Sequence, residues 1–344
     1  MTAARPPLSV LDLAIVRDGA TSADALADTT ATARHAERLG YRRFWVAEHH
    51  NMRTVASTSP PVLIAHLAAS TERIRVGSGG VMLPNHAALV VAEQFAMLEA
   101  LHPGRIDLGI GRAPGTDPRT AAALRRSPEA LWPEDFPRDL LDLMGLLGDA
   151  RTAEGLWRHF SATPVSSSTP EIVLLGSSDY SARLAGVLAL PFAFAHHFDT
   201  GGTLDAVQAY RDAFEASDVL AEPHVIITAN VLIAPTADEA EWFAAPGRLM
   251  TLAIRRGRPR SVPSPERANA DPDIDVARNL PTNRIVGTPD AVVAKLEELV
   301  VRTGAAELMV STVGYGLDER LRSLTLLAEA WTMPRSEPAE HGVA

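Results

Sequence analysis

Apolar residues along this chain come in short continuous runs, and between the runs they recur at helical spacing. Leu8-Ser9-Val10-Leu11-Asp12-Leu13-Ala14 predicts a first strand. After Asp18-Gly19 the positions Leu26, Thr29, Ala33, Ala36 and Leu39 repeat every three or four residues, which predicts a helix over 22–39 ended by Gly40. Phe44-Trp45-Val46-Ala47 predicts strand two, and Pro60-Pro61 opens a helix through Val62, Leu63 and Leu67. Strand three covers 73–78 and runs into a Gly77-Ser78-Gly79-Gly80 turn. A helix over about 87–101 stops at His102-Pro103-Gly104, and strand four covers 105–110. Strands five, six and seven fall at 172–176, 192–195 and 225–234, with helices near 180–188, 204–216 and 238–253. Thr288-Pro289 opens a helix with Val292, Val293, Leu296, Leu299 and Val300 on one face. It leads to strand eight at 307–311 and a last helix over 317–331.

Eight strands alternating with helices predict an α/β fold, a single (β/α)8 TIM barrel over residues 8–333. Residues 1–7 are expected to be a disordered N-terminus and 334–344 a flexible tail. Two segments interrupt the rhythm. One is an insertion at about 111–170 after strand four, rich first in proline and arginine and later in serine and threonine, with a helix near 139–147. The other is a charged, breaker-rich stretch at about 255–280 after strand seven. A linker of that length within a compact domain is usually functional or disordered.

Composition narrows the class. The 46% apolar content supports a large core, and 32 basic against 42 acidic residues give a net charge of −10, with no basic run before Arg255. A nucleic-acid partner is therefore not expected. The absence of cysteine excludes disulfides, thiolate metal sites and a thiol nucleophile. The N-terminus has no apolar signal region, and the longest apolar stretch, 184–195, is broken by Pro191 and short of the ~20 residues a membrane span needs. A soluble cytoplasmic protein without a membrane partner is expected.

In parallel α/β folds ligands sit at the carboxyl ends of the strands, so chemistry is sought there. Glu48-His49-His50-Asn51 leaves strand two and offers groups that handle protons. Gly109-Ile110-Gly111-Arg112-Ala113-Pro114-Gly115 nearly matches a dinucleotide fingerprint. It follows the fourth strand rather than the first and has Pro114 at the third glycine, so Arg112 alone is its functional part, or else makes a surface ion pair. Gly176-Ser177-Ser178-Asp179-Tyr180-Ser181 brings hydroxyls and free N–H groups to a helix start, either an anion site or an ordinary serine cap. Gly79 and Gly80 permit close approach of a flat ligand, with Met82 as a soft contact, or make a plain turn. His196-His197 raises a metal, but strand one carries no His-x-His and strand eight ends in Ser311-Thr312, so no metal site is expected.

Taken in order, these stretches and Val286-Gly287-Thr288-Pro289 resemble the bacterial luciferase-like flavin-dependent monooxygenases, from about Leu8 to Trp331. The resemblance implies reduced FMN (FMNH2) as cofactor, O2 as co-substrate, and oxidation of a small organic substrate through a C4a-(hydro)peroxyflavin. It implies His49 as catalytic acid/base, with Glu48 and Arg112 in the catalytic set. Arg112, Ser177, Ser178, Tyr180 and Ser181 would bind the cofactor's phosphate end, Gly79, Gly80 and Met82 its ring, and a non-proline cis peptide would fall at Gly79-Gly80. It also implies a mobile lid at 255–279, a separate flavin reductase and a homodimer. Luciferase itself carries a cysteine just before the arginine; here Gly111 stands there, so light emission is not implied. Two alternatives share the barrel: a deazaflavin-dependent oxidoreductase, and a non-catalytic subunit that binds flavin or a partner chain.

Overall fold

The computed structural model describes residues 5–113, 115–125, 135–198, 201–258, 260–312 and 314–333; Pro114, residues 1–4 and the tail 334–344 lie outside them. The strands are β1 (Leu8–Asp12), β2 (Arg43–Val46), β3 (Arg75–Met82), β4 (Ile106–Gly111), β5 (Glu171–Gly176), β6 (Phe192–Phe194), β7 (Val225–Ile233), β8 (Ile285–Gly287) and β9 (Glu307–Ser311). All their pairings are parallel. In the order β1-β2-β3-β4-β5-β6-β7-β9 they close on themselves, giving the expected eight-stranded barrel. The strand expected as the eighth is β9. The extra β8 pairs with the end of β7, where Val231–Ile233 run past the ring.

Helices fill the crossovers: α1 (Ser22–Leu39), α2 (Pro60–Ala69), α3 (Ala88–Leu101), α4 (Pro118–Arg125), α5 (Phe136–Leu146), α6 (Asp179–Val187), α7 (Thr203–Asp212), α8 (Ala237–Arg255), α9 (Pro265–Asn269), α10 (Ile274–Arg278), α11 (Pro289–Thr303) and α12 (Leu317–Ala330). Their ends follow local chemistry. Thr21 and Asp24 exchange side-chain and backbone hydrogen bonds at the start of α1, and Gly40 closes it at φ +83°. No helix among the described residues is long and apolar enough to cross a membrane.

Strand side chains alternate between the barrel interior and the helices. Outward positions such as Val10, Phe44, Val46, Val76, Ile106, Leu108 and Ile110 join the main core with the helices. Inward positions form layers. At the amino ends of the strands the fully buried Arg43 pairs with Asp107 (3.0 Å) and Glu307 (3.1 Å), while Ser9 donates to Glu307 (2.5 Å) and Arg75 to Asp107 (2.8 Å). Above this ionic layer lie Leu11, Trp45, Val173, Ala193, Ile226 and Met309. Trp45 explains the glycines of its neighbour β3. A Cβ on Gly77 would meet the indole nitrogen at 2.8 Å and Asp107 at 2.5 Å, and one on Gly79 would meet Leu11 at 2.8 Å. The Gly77–Gly80 stretch is therefore strand, not the expected turn, with a register shift between Gly79 and Val81.

Two polar segments are better ordered than their composition suggests. Arg5 pairs with Glu297 and stacks on Trp331, whose indole donates to the Pro6 carbonyl, so residues 5–7 are held rather than disordered. The stretch after α8 forms α9 and α10. Ala268, Ile274 and Ala277 pack on Ala245, Leu249 and Leu252 of α8, and the Arg256–Asp273 and Arg260–Asp271 pairs brace the surface. Val262 bridges to Arg17, and Arg267 pairs with Asp18, which fixes the segment to the loop after β1 at the carboxyl rim.

Candidate active site

At the carboxyl ends of the strands a cavity of about 910 Å3, including its open mouth, lies above the Trp45 layer. His49, Gly79, Gly80, Met82, Arg112, Ser177, Ser178 and Ser181 all line it, so residues from four strand ends meet as the sequence suggested. Glu48 and Tyr180 stand behind this lining rather than in it.

Glu48 is completely buried. Its Oε1 accepts from His50 Nε2 (2.8 Å), His86 Nε2 (2.8 Å) and Asn85 (3.3 Å), and its Oε2 from the Met82 N–H (3.0 Å). Burial alone would raise its pKa. The hydrogen bonds from His86, His50 and Met82 outweigh burial and hold the carboxyl below its ordinary range. Glu48 thus ties the end of β2 to the end of β3. Sequence spacing did not reveal His86. Glu48, His50 and His86 also bring three ligand-type atoms within 4.8 Å of one another, and the hydrogen bonds among them account for those atoms.

His49 turns the other way. Burial, and secondarily the neighbouring His50 charge, lower its pKa against the pull of Glu48. Its Nδ1 is buried with no hydrogen-bond partner among the described residues. The Gly79–Gly80 peptide beside it is cis, as the resemblance implies. A Cβ on Gly80 would meet the Gly109 carbonyl oxygen at 2.7 Å, so the strand offers a surface without side chains there. Met82 Sδ lies 2.9 Å from where a Cβ on Gly111 would stand, which places the thioether in the space a side chain before Arg112 would need.

The rim at β4 and β5 is cationic and hydroxyl-rich. The Arg112 guanidinium lies 4.5 Å over the Tyr180 ring and makes no hydrogen bond or ion pair among the described residues. Ser178 is the N-cap of α6 yet its side chain makes no capping bond, and Ser177 and Ser181 beside it line the same wall. Free hydroxyls, a helix start and an unpaired guanidinium are what a phosphate group requires. With the glycine floor and the orphaned His49 nitrogen, the donor set fits a flavin mononucleotide.

Two polar residues here were not foreseen as site residues. His197 lines the cavity at the end of β6, and Thr228 of β7 stands beside it. His197 Nδ1 is 2.5 Å from Thr228 Oγ1. Burial, then the charges of His196 and His49, push its pKa down to about 4. His196 points elsewhere, toward Thr203, so the pair does not act together on one ion.

Residues 8–307 match the model of a family described as luciferase-like monooxygenase. A luciferase-like monooxygenase of Escherichia coli is 39% identical over 92% of this chain and 95% of its own length. The N-acetyl-S-alkylcysteine monooxygenase of Bacillus subtilis is 35% identical over 94% and 97%. Among solved structures, apo-MsnO8 superposes with a TM-score of 0.89 at 38% identity, covering 97% of this chain and 99% of that one. More distant structures share the fold alone: an FMN complex of a type II Baeyer-Villiger monooxygenase (TM-score 0.70, 20% identity, 94% and 97% covered) and an F420-dependent secondary alcohol dehydrogenase (0.63, 14%, 95% and 99%).

Proposed function

The chain belongs to the luciferase-like monooxygenase family, and we propose that it holds reduced FMN in this cavity and uses it with O2 to oxidise a small organic substrate. The observation that carries the choice of a phosphate-bearing flavin is the uncommitted Arg112 guanidinium facing Ser177, Ser178 and Ser181 across one wall. Arg112 would grip the phosphate through charge-assisted hydrogen bonds, aided by these hydroxyls and the first turn of α6. Tyr180 holds the guanidinium in place from behind. Gly79, Gly80 and Met82 would lie against the ring.

When bound, the flavin supplies the redox chemistry, delivering electrons to O2. The chain supplies position, dryness and protons. An unpartnered buried N–H is rarer than an unpartnered acceptor, so neutral His49 keeps its proton on Nε2 and exchanges it there with the cavity. Leu11, Trp45, Leu175 and Phe198 keep water from the reacting atoms. The 255–279 segment, tied to the loop after β1 by the Arg17–Val262 bridge, would serve as a lid.

The stretch nearest a nucleotide fingerprint is the end of β4, which favours a separate reductase as the source of reduced flavin. Val90, Gln94, Met97 and Leu101 lie exposed on α3 at spacings of four, three and four, and this seam favours a homodimer.

Anaerobic titration with photoreduced FMN tests the reading, and one equivalent bound per chain is expected. Tighter binding of a reduced deazaflavin would replace the cofactor. Binding of neither would leave a non-catalytic subunit.

A further inference from the structure

His197 is the cavity's other imidazole, and its hydrogen bonds determine which nitrogen carries the proton. Thr228 Oγ1 lies 3.1 Å from the Phe194 carbonyl oxygen, which can only accept. The single hydroxyl proton of Thr228 is thus used, and toward His197 the hydroxyl can only accept. The proton of the neutral ring therefore sits on Nδ1. Nε2 is left as a bare acceptor, with no hydrogen bond among the described residues, on a side chain that lines the cavity.

We propose that His197 is a specificity-determining residue whose Nε2 lone pair accepts a hydrogen bond from an O–H or N–H group of the organic substrate. The inference rests on the cavity being the flavin and substrate site proposed above. In the ring of strands, β3 with its glycine floor lies opposite β7, which carries Thr228. A flat cofactor held on Gly79 and Gly80 with its phosphate at Arg112 would leave the β6–β7 side of the cavity to the substrate. There Ala193, Ala195, Phe198 and Met309 form an apolar wall whose polar exceptions are His197 and Thr228. The donor on Thr228 is consumed, so this wall offers the occupant an acceptor and no donor. His49 lies near enough that a proton on it would oppose one on His197. With its own proton on Nε2, His49 presents a donor where His197 presents an acceptor. A site built to receive a substrate O–H or N–H rejects analogues that lack it, because its own lone pair would be left buried and unpaired. The substrate class this favours is an apolar molecule with a hydroxyl or N–H near the oxidised position, phenols included.

The test is nitrogen-15 spectroscopy of the histidine-labelled whole protein, with the His197 signals assigned by their loss in His197→Gln. The expected result is the Nδ1–H form, an Nε2 signal that moves upfield with phenol, and no such movement with anisole or FMN. An Nε2–H ring, or equal responses to phenol and anisole, overturns the proposal. Movement with FMN alone would give the acceptor to the cofactor; it would overturn the substrate assignment and leave the flavin site standing. Thr228→Val keeps the side-chain shape and removes the acceptor. It should release the ring to the Nε2–H form and weaken phenol binding about two- to tenfold, the worth of one neutral hydrogen bond. Unchanged binding and an unchanged tautomer in that variant would also overturn it.

Discussion

Acidifying the flavin-free protein from pH 7 to pH 5 should cost stability through His197 in particular. A free histidine has a pKa of about 6.5, and enclosure, reinforced by His196 and His49, lowers that of His197 to about 4. The folded value is the depressed one, so the contribution is fully present above pH 6.5 and is lost as pH falls toward 4. In that window the unfolded chain takes up a proton that the folded chain refuses. The differential uptake amounts to about 2 kcal/mol at pH 5 and about 3 kcal/mol once the folded ring also titrates. Urea unfolding of wild type and His197→Gln at pH 7, 6 and 5 isolates this contribution. Glu48 and Glu307, whose lowered pKa values also remove stability on acidification, are common to both proteins and cancel. The wild type should lose about 2 kcal/mol more than the variant at pH 5. Parallel losses would refute the account of His197 as an enclosed neutral ring.

Arg112→Ala should weaken FMN binding by about 1.5–3 kcal/mol, the range for hydrogen bonds to a charged group; fluorescence titration that finds an unchanged dissociation constant removes Arg112 from the phosphate site. Arg43→Met removes the buried cation that Asp107 and Glu307 share, leaving Asp107 to Arg75 and Glu307 to Ser9, and should destabilise the fold by about 3–5 kcal/mol in denaturant unfolding. The double variant Met97→Glu/Leu101→Glu places like charges along the exposed α3 seam and should yield a monomer by light scattering; a dimer that persists puts its interface elsewhere.

The barrel was legible because its signals are local. Buried runs such as Glu307–Ser311 and helix punctuation such as Gly40 and Thr288-Pro289 fall where the structure has them. β8 escaped notice because three residues carry no period, and it exists only where β7 outruns the ring. The order in 255–279 was hidden because small apolar residues, Ala268 and Ala277, do its packing among conspicuous charges. Strand-end motifs picked out His49, Arg112 and the serines, which the structure brings to the wall of one cavity. The position of Glu48 behind the cavity wall depends on His86, 38 residues away, and the tautomer of His197 on Thr228, 31 residues away, and no spacing rule connects such pairs.

The ionic floor of Arg43, Asp107 and Glu307, roofed by Trp45 and its neighbours, makes the chamber a cul-de-sac. Traffic through such a chamber must queue. Under the proposed flavin reading, a product lying nearer the doorway than the flavin ring would have to depart before spent cofactor could be exchanged for fresh. An ordered kinetic scheme would then be a matter of plumbing, set by which end of the barrel is corked.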